Sequence, residues 1–255
     1  LGALQADFQI VDGASKIFRL VRPVLTALAV REGFGRSVST LRSRGAERQA
    51  EIAAAPSAVE AGLRDLVQAI DADESLEALE RRMGDEPLLI YRFLRFANSA
   101  ALALRNETAS VRQGLLNMGY SRLRAWLMEQ MPHASSDANL QPIRAAMVLR
   151  ARIMERLADA GAEDELRREV FMCGIFSQVD LLLGENLGAA LHRLPLPGRV
   201  ASAVLGQTGP YAPWLQVASA LEGSSTKVIR DVCKAHELAA DEVNRALLRS
   251  LAAPA

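Results

Sequence analysis

The side chains that most often carry out chemistry in proteins are few in this chain and stand far apart. Its three histidines, His133, His192 and His236, lie in unrelated contexts, and none is followed by aspartate. Its two cysteines, Cys173 and Cys233, form no C-x-x-C motif. A metal site needs several converging ligands, and a nucleophile needs a base beside it. We therefore predict no metal, no cofactor and no catalytic residue, and we expect both cysteines to act as small buried hydrophobes.

One carboxylate, Asp180, lies inside the apolar stretch 170–183, which we predict to be a central helix with neighbours on nearly all sides. A buried carboxylate is costly unless it is paired. Asp180 could contact a metal or ligand, or it could lie on the helix surface or be held by a neighbouring arginine or amide. We favour the second interpretation. Ser177 stands one turn before Asp180, so the two side chains could share a polar network.

A different function, binding to DNA, would have to lie near the carboxyl end of the sequence. Residues 227–251 predict two helices with a short break, spaced somewhat like a helix-turn-helix, and Arg245 and Arg249 fall on the second helix. The break lacks glycine, and Glu237 and Asp241 would repel phosphate. We favour a packed helical pair and expect no nucleic-acid partner.

The element that must position the others is a predicted helix that opens at residue 85. Asp85 can accept hydrogen bonds from first-turn amides, and Pro87 suits that turn because its missing N–H costs nothing there. Apolar residues follow on most sides, which predicts a buried helix. Asn98 and Ser99 end it, and a polar pair beside so apolar a helix must be hydrogen-bonded.

This helix and the segment after it resemble the HDOD family, bacterial signalling modules related to the HD metal-dependent phosphohydrolases. The matching runs are Asp85-x-Pro-Leu-Leu-x-x-x-Phe-Leu-Arg-Phe-Ala-Asn-Ser-Ala and Ser110-Val-x-Gln-Gly-x-x-x-Met-Gly119. Family members typically read Asp-Pro, whereas this chain has Glu86 inserted before Pro87. A further stretch, 171–184, is similar to proteins in which an EAL domain precedes HDOD.

The resemblance implies which positions carry the family signature: Pro87, Asn98, Ser99, Ser110, Gly119, Gly174, Ser177 and Asp180. It also implies that HD-type catalysis is absent. The family's Gly-Leu-Leu-His-Asp run falls on residues 174–178, where Ser177 and Gln178 replace the ligands. Ser and Gln are poor ligands for such a metal. A divergent phosphohydrolase that uses carboxylates instead of histidines is the alternative.

The remaining helix-start and helix-stop signals predict helices from residue 57 onward. Capping boxes at Ser57–Glu60 and Ser110–Gln113 predict helix starts. No strand-period run follows residue 55, so we predict an all-α, multi-helix HD-related bundle in two helical groups, with a boundary in the polar stretch 133–141. We assign residues 56–255 to an HDOD-like helical domain. Residues 1–55 are then an N-terminal segment or linker, or a remnant of an upstream signalling domain, with a short strand at 6–12 and a helix at 15–30.

Composition narrows the class of protein. The chain has 30 basic and 30 acidic side chains, so its net charge attracts neither nucleic acid nor a membrane surface. The longest stretch without a charged residue, 200–221, is interrupted by Gly, Gln, Thr and Pro, which argues against a membrane span. We therefore expect a bacterial, cytoplasmic, non-catalytic output or scaffold domain in signal transduction, regulated from upstream, that binds other signalling proteins.

Overall fold

A computed structural model of the chain describes residues 58–100, 102, 107–134, 140–158, 162–223 and 225–252. Within these ranges the chain forms thirteen α-helices and one short 3-10 helix and contains no β-strand, which confirms the all-α prediction. The strand predicted at 6–12, the helix at 15–30 and the cap at Ser57 lie outside the described residues. The domain boundary at residue 55 stays a prediction.

The described residues fall into two compact units. The first unit comprises 58–144 and 193–195, and its helices are α1 (Ala58–Asp71), α2 (Leu76–Met83), α3 (Pro87–Ala97), α4 (Val111–Met118), α5 (Tyr120–Gln130) and the 3-10 helix Met131–His133. The second unit comprises 145–192 and 196–252. It holds most of α6 (Gln141–Leu157), then α7 (Asp164–Phe176), α8 (Val179–Leu183), α9 (Leu187–Leu191), α10 (Gly198–Gly206), α11 (Ala212–Leu221), α12 (Thr226–Ala235) and α13 (Ala240–Ala252).

The division between the units falls between Arg144 and Ala145, inside α6, and not in the polar stretch 133–141 where the sequence placed it. Arg144, in the first turn of α6, is buried, and its guanidinium favours the ionised form of Glu86 in the first unit. A boundary inferred from polarity alone could not anticipate this buried contact.

Helix α3 is buried over most of its circumference, as predicted, with eight of its eleven residues inaccessible. Two of its phenylalanines meet Trp126 of α5. Phe93 approaches the indole edge-on with ring centroids 5.4 Å apart, and Phe96 stacks on it at 5.8 Å. Such aromatic pairs each contribute about 0.5–1.5 kcal/mol beyond their buried area. The three rings therefore fix α5 against α3.

Asp85 is not the N-cap residue of α3, contrary to the position that the sequence indicated. Pro87 occupies the first helical position, so the N-cap is Glu86, whose carbonyl accepts the N–H of Ile90 at 3.1 Å. The inserted glutamate displaces Asp85 from the capping position, and the Glu86 side chain makes no capping hydrogen bond itself.

The prediction of one continuous central helix over 170–183 is also wrong. The chain breaks at Ser177 and Gln178 into two helices, α7 and α8. The hydroxyl of Ser177 donates to the Gly174 carbonyl at 2.7 Å, and the Ser177 N–H reaches the same oxygen at 3.4 Å. This local pairing replaces the next helical turn. The stretch is nevertheless as buried as predicted from Met172 to Phe176 and at Val179.

Helices α6 and α7 cross with their backbones in contact at Gly174. A Cβ atom placed on Gly174 would lie 2.2 Å from the Cα of Ala151 and 2.5 Å from its nitrogen. Only glycine permits this approach. The neighbouring Cys173 and the distant Cys233 are both buried, as the sequence predicted. Among the described helices, none has the length and apolar character that crossing a membrane requires.

We expect Gly174→Ala to lower the free energy of unfolding by about 1–3 kcal/mol or more, because the methyl group meets backbone atoms that cannot rotate away. Gly198→Ala is the matched control, since nothing lies within 4 Å of its Cβ position in α10. Urea unfolding followed by circular dichroism measures both. Equal midpoints for the two variants would show that α6 and α7 do not touch at Gly174.

Candidate functional site

Asn98, a signature residue of the first unit, forms a polar cluster with Thr108, which we call the Asn98 corner. The Asn98 amide donates to the carbonyls of Leu94 at 2.7 Å and Thr108 at 2.9 Å. Its oxygen accepts the Thr108 N–H at 2.7 Å. Asn98 thus pairs with Thr108 in both directions, as a backbone would. The hydrogen bonding predicted for Asn98 and Ser99 is confirmed, since Ser99 donates to the Phe96 carbonyl at 2.7 Å.

The other signature positions of this unit shape the chain around that corner. Ser110 accepts the Gln113 N–H at 3.2 Å and caps α4 as predicted. The reciprocal bond goes from the N–H of Ala109, and not that of Ser110, to the Gln113 side chain at 3.3 Å. Gly119 joins α4 to α5 at φ +73°, a conformation that disfavours side chains. Pro87, buried in the first turn of α3, completes this set.

The second unit contains a buried polar group, the Arg150 cluster, which consists of Arg150, Ser177 and Glu222. The guanidinium of Arg150 donates to both oxygens of Glu222, at 2.7 Å through Nε and 2.6 Å through Nη2. Its Nη1 donates to the Ser177 hydroxyl at 2.6 Å. The Arg150 side chain is only 6% exposed, and Glu222 is 30% exposed. A bidentate, charge-assisted pair of this kind is strong and geometrically specific.

The Arg150 cluster lies where the family resemblance placed the HD ligands. Ser177 donates its proton to Gly174 and accepts from Arg150, so its hydroxyl is engaged on both sides. Gln178 is the N-cap residue of α8 and is half-buried. Asp180 is half-buried in the first turn of α8. The polar network suggested between Ser177 and Asp180 is wrong, because Ser177 bonds to Arg150 and Gly174 instead.

Sequence reasoning missed Arg150 and Glu222. A signal for Arg150 did exist, because it stands between Met147 and Met154 on the buried stripe of α6. A charge on such a stripe needs a partner. The partner could not be found in the same way, since Glu222 follows the end of α11, far along the chain.

His133 belongs to the first unit, and His192 and His236 belong to the second. His133 and His192 are exposed, while His236 contacts the Gln216 side-chain oxygen at 2.7 Å. In the part of the chain that the structure describes, no group of three or more His, Cys, Asp or Glu side chains could hold a metal ion together.

A third polar group, in the second unit, is built around Glu169. The Tyr211 hydroxyl donates to Glu169 at 2.6 Å, and Arg199 donates to its other oxygen at 3.0 Å. Burial, reinforced by the Glu169 carboxylate, raises the pKa of Cys173 to about 12 and also raises the pKa of Tyr211. A thiol with so high a pKa is a poor nucleophile near neutral pH.

The two predicted C-terminal helices form, as α12 and α13. Two of its basic side chains pair within their own helices, Lys227 with Asp231 at 3.7 Å and Arg245 with Asp241 at 3.0 Å. Such pairs place carboxylates directly beside the charges that would have to meet phosphate.

The fold and these clusters define an all-helical domain whose signature residues hold its own backbone in place. The sequence matches the HDOD domain family over residues 56–186, just over half of the chain. The chain belongs to the HDOD family.

Two curated relatives match a little over half of the chain. Protein YuxH of Bacillus subtilis, an uncharacterized protein, is 23% identical over 141 residues, which cover 54% of this chain and 34% of YuxH. The cyclic di-GMP phosphodiesterase CdgJ of Vibrio cholerae is 24% identical over 155 residues, which cover 61% of this chain and 36% of CdgJ. The chain thus spans about a third of the length of these relatives. No solved structure matches it.

We expect Asn98→Ala to lower the free energy of unfolding by about 1–3 kcal/mol, because the buried N–H and carbonyl of Thr108 would lose their partner. Asn117→Ala is the control: Asn117 is exposed and reaches Thr108 only through one 3.3 Å bond to its hydroxyl, so its loss should be about 0.5 kcal/mol or less. Chemical denaturation of the two variants measures the difference. Similar losses would contradict a special role for the Asn98 corner.

Proposed function

We propose that this HDOD domain is a non-catalytic output or scaffold domain of a signalling protein and acts by binding other proteins. A signalling role is supported by its family and by CdgJ, a signalling relative. The observation that carries the non-catalytic part is the Arg150 cluster. At the position where an HD phosphohydrolase would hold its metal ligands, this chain has a serine bonded to a buried guanidinium.

A guanidinium at this position opposes metal binding in two ways. Arginine stays charged at all accessible pH values, so it repels a divalent cation at short range. It also occupies the Ser177 oxygen that would otherwise face an incoming ligand. The negative charge of Glu222, which could attract a cation, is already matched by Arg150 through two hydrogen bonds.

The phosphodiesterase activity in the name of CdgJ does not transfer to this chain by similarity. The match covers only 36% of that protein, so the activity can belong to the part that this chain does not match. What the chain shares with its family is the helical domain. A domain without catalytic activity can still transmit a signal by binding another protein. That this domain does so rests on family analogy.

Binding to another protein requires a surface that gains from being covered. Among the described residues, the most exposed large apolar side chain is Leu116 on α4, at 65%. Leu181 on α8 and Val228 on α12 are about half exposed. Scattered apolar side chains are common on soluble proteins, so these residues are starting points for mapping a partner and do not identify one.

We expect the purified chain to hydrolyse neither phosphomonoester nor phosphodiester substrates above background, with or without added Mn²⁺, Mg²⁺ or Fe²⁺. Monoester cleavage is followed by the release of phosphate, and diester cleavage by the release of the phenol of a chromogenic substrate. The measurement compares wild type with Asp180→Ala, because Asp180 is the carboxylate that a divergent phosphohydrolase would use. Metal-dependent release by wild type that disappears in Asp180→Ala would support the enzyme and contradict the scaffold.

A further inference from the structure

The side chain of Glu86 turns away from the helix that it begins. As the N-cap residue of α3 it could accept amide hydrogen bonds, yet it makes none of these. It packs instead against α1, where a Cβ atom on Gly62 would lie 3.2 Å from Glu86 Oε1 and 3.5 Å from its Cγ. Its other oxygen, Oε2, is fully buried and makes no hydrogen bond within the described part of the chain. Glu86 is also the residue by which this chain departs from the family's Asp-Pro.

A carboxyl group in this position is far easier to bury neutral than charged. An ionised carboxylate without hydrogen bonds loses its hydration and gains little in return, whereas a protonated one carries no net charge. The absence of Gly62's side chain leaves room for the carboxyl against α1 but supplies no donor. The local geometry therefore favours the protonated form.

The charges on neighbouring elements act in both directions. The buried guanidinium of Arg144, at the start of α6, favours the ionised form, and the adjacent Asp85 opposes it. On α1, Glu60 and Arg64 pair with each other. At the end of α2, Arg82 pairs with Glu74.

We propose that Glu86 is a proton-sensitive contact that holds the start of α3 against α1 when protonated and loosens it when ionised. Burial is the dominant effect and exceeds the attraction of Arg144, so the pKa of Glu86 rises from about 4.5 to about 7. The folded state therefore binds this proton more tightly than the unfolded chain does. The stability that it contributes is complete below about pH 4.5 and is lost as the pH rises through about 7.

The first test compares the pH dependence of stability in wild type, Glu86→Gln and the control Glu129→Gln, whose carboxylate is exposed on α5. Glutamine resembles the protonated carboxyl at every pH. From pH 5 to pH 8 the unfolding equilibrium of wild type should shift toward unfolding by on the order of tenfold to a hundredfold relative to Glu86→Gln. Glu129→Gln should follow wild type. Parallel curves for wild type and Glu86→Gln would overturn the proposal.

A direct titration keeps the proposal testable even if Glu86→Gln folds poorly. The side-chain carboxyl carbon of Glu86, followed by NMR in the wild-type chain, should titrate near pH 7. A midpoint near the ordinary value of about 4.5 would show that Arg144 or water stabilises the charge, and would refute the proton-sensitive contact.

Discussion

A charged side chain removed from water needs hydrogen-bond partners, and the partners of Arg150 connect the helices of the second unit. The Arg150 guanidinium on α6 donates hydrogen bonds to Ser177 at the end of α7 and to Glu222 at the end of α11. One side chain therefore connects three helices. Breaking a partly buried pair of this kind by removing one partner usually costs far more than the pair contributes by itself. We propose that the position of an HD metal ligand is structural in this chain, because Ser177 bonds to Arg150 there.

The first unit meets the same requirement without a charge. At the Asn98 corner, an amide satisfies the buried Thr108 backbone in both directions, while Ser99 and Ser110 complete the ends of α3 and α4. Glu86 is the contrasting case, because its buried Oε2 has no hydrogen-bond partner among the described residues. Polar groups with complete hydrogen bonding make a fixed framework, and an incompletely bonded group in that framework responds to its surroundings.

Much of this architecture could be predicted from local sequence signals. Apolar periodicity predicted α1 and α3, and Ser110 predicted the start of α4. Asn98 indicated a helix end held by hydrogen bonds. The errors arose where a nonlocal contact or a shifted register decided the outcome. One inserted residue moved the cap from Asp85 to Glu86, and the Arg150 partners were distant in sequence. The apolar run did not reveal the break at Ser177. One hydrogen bond at the break is local, to Gly174, and the other comes from Arg150, which is distant in sequence.

We propose that Arg150 closes the position at which HD phosphohydrolases hold their metal ligands. The most direct test is the metal content of protein purified without chelators or a metal-affinity tag, measured by elemental analysis against protein concentration. The account predicts that iron, manganese and zinc are each far below one equivalent per chain. Near-stoichiometric metal would mean that side chains converge on a real site, and would contradict the closed position.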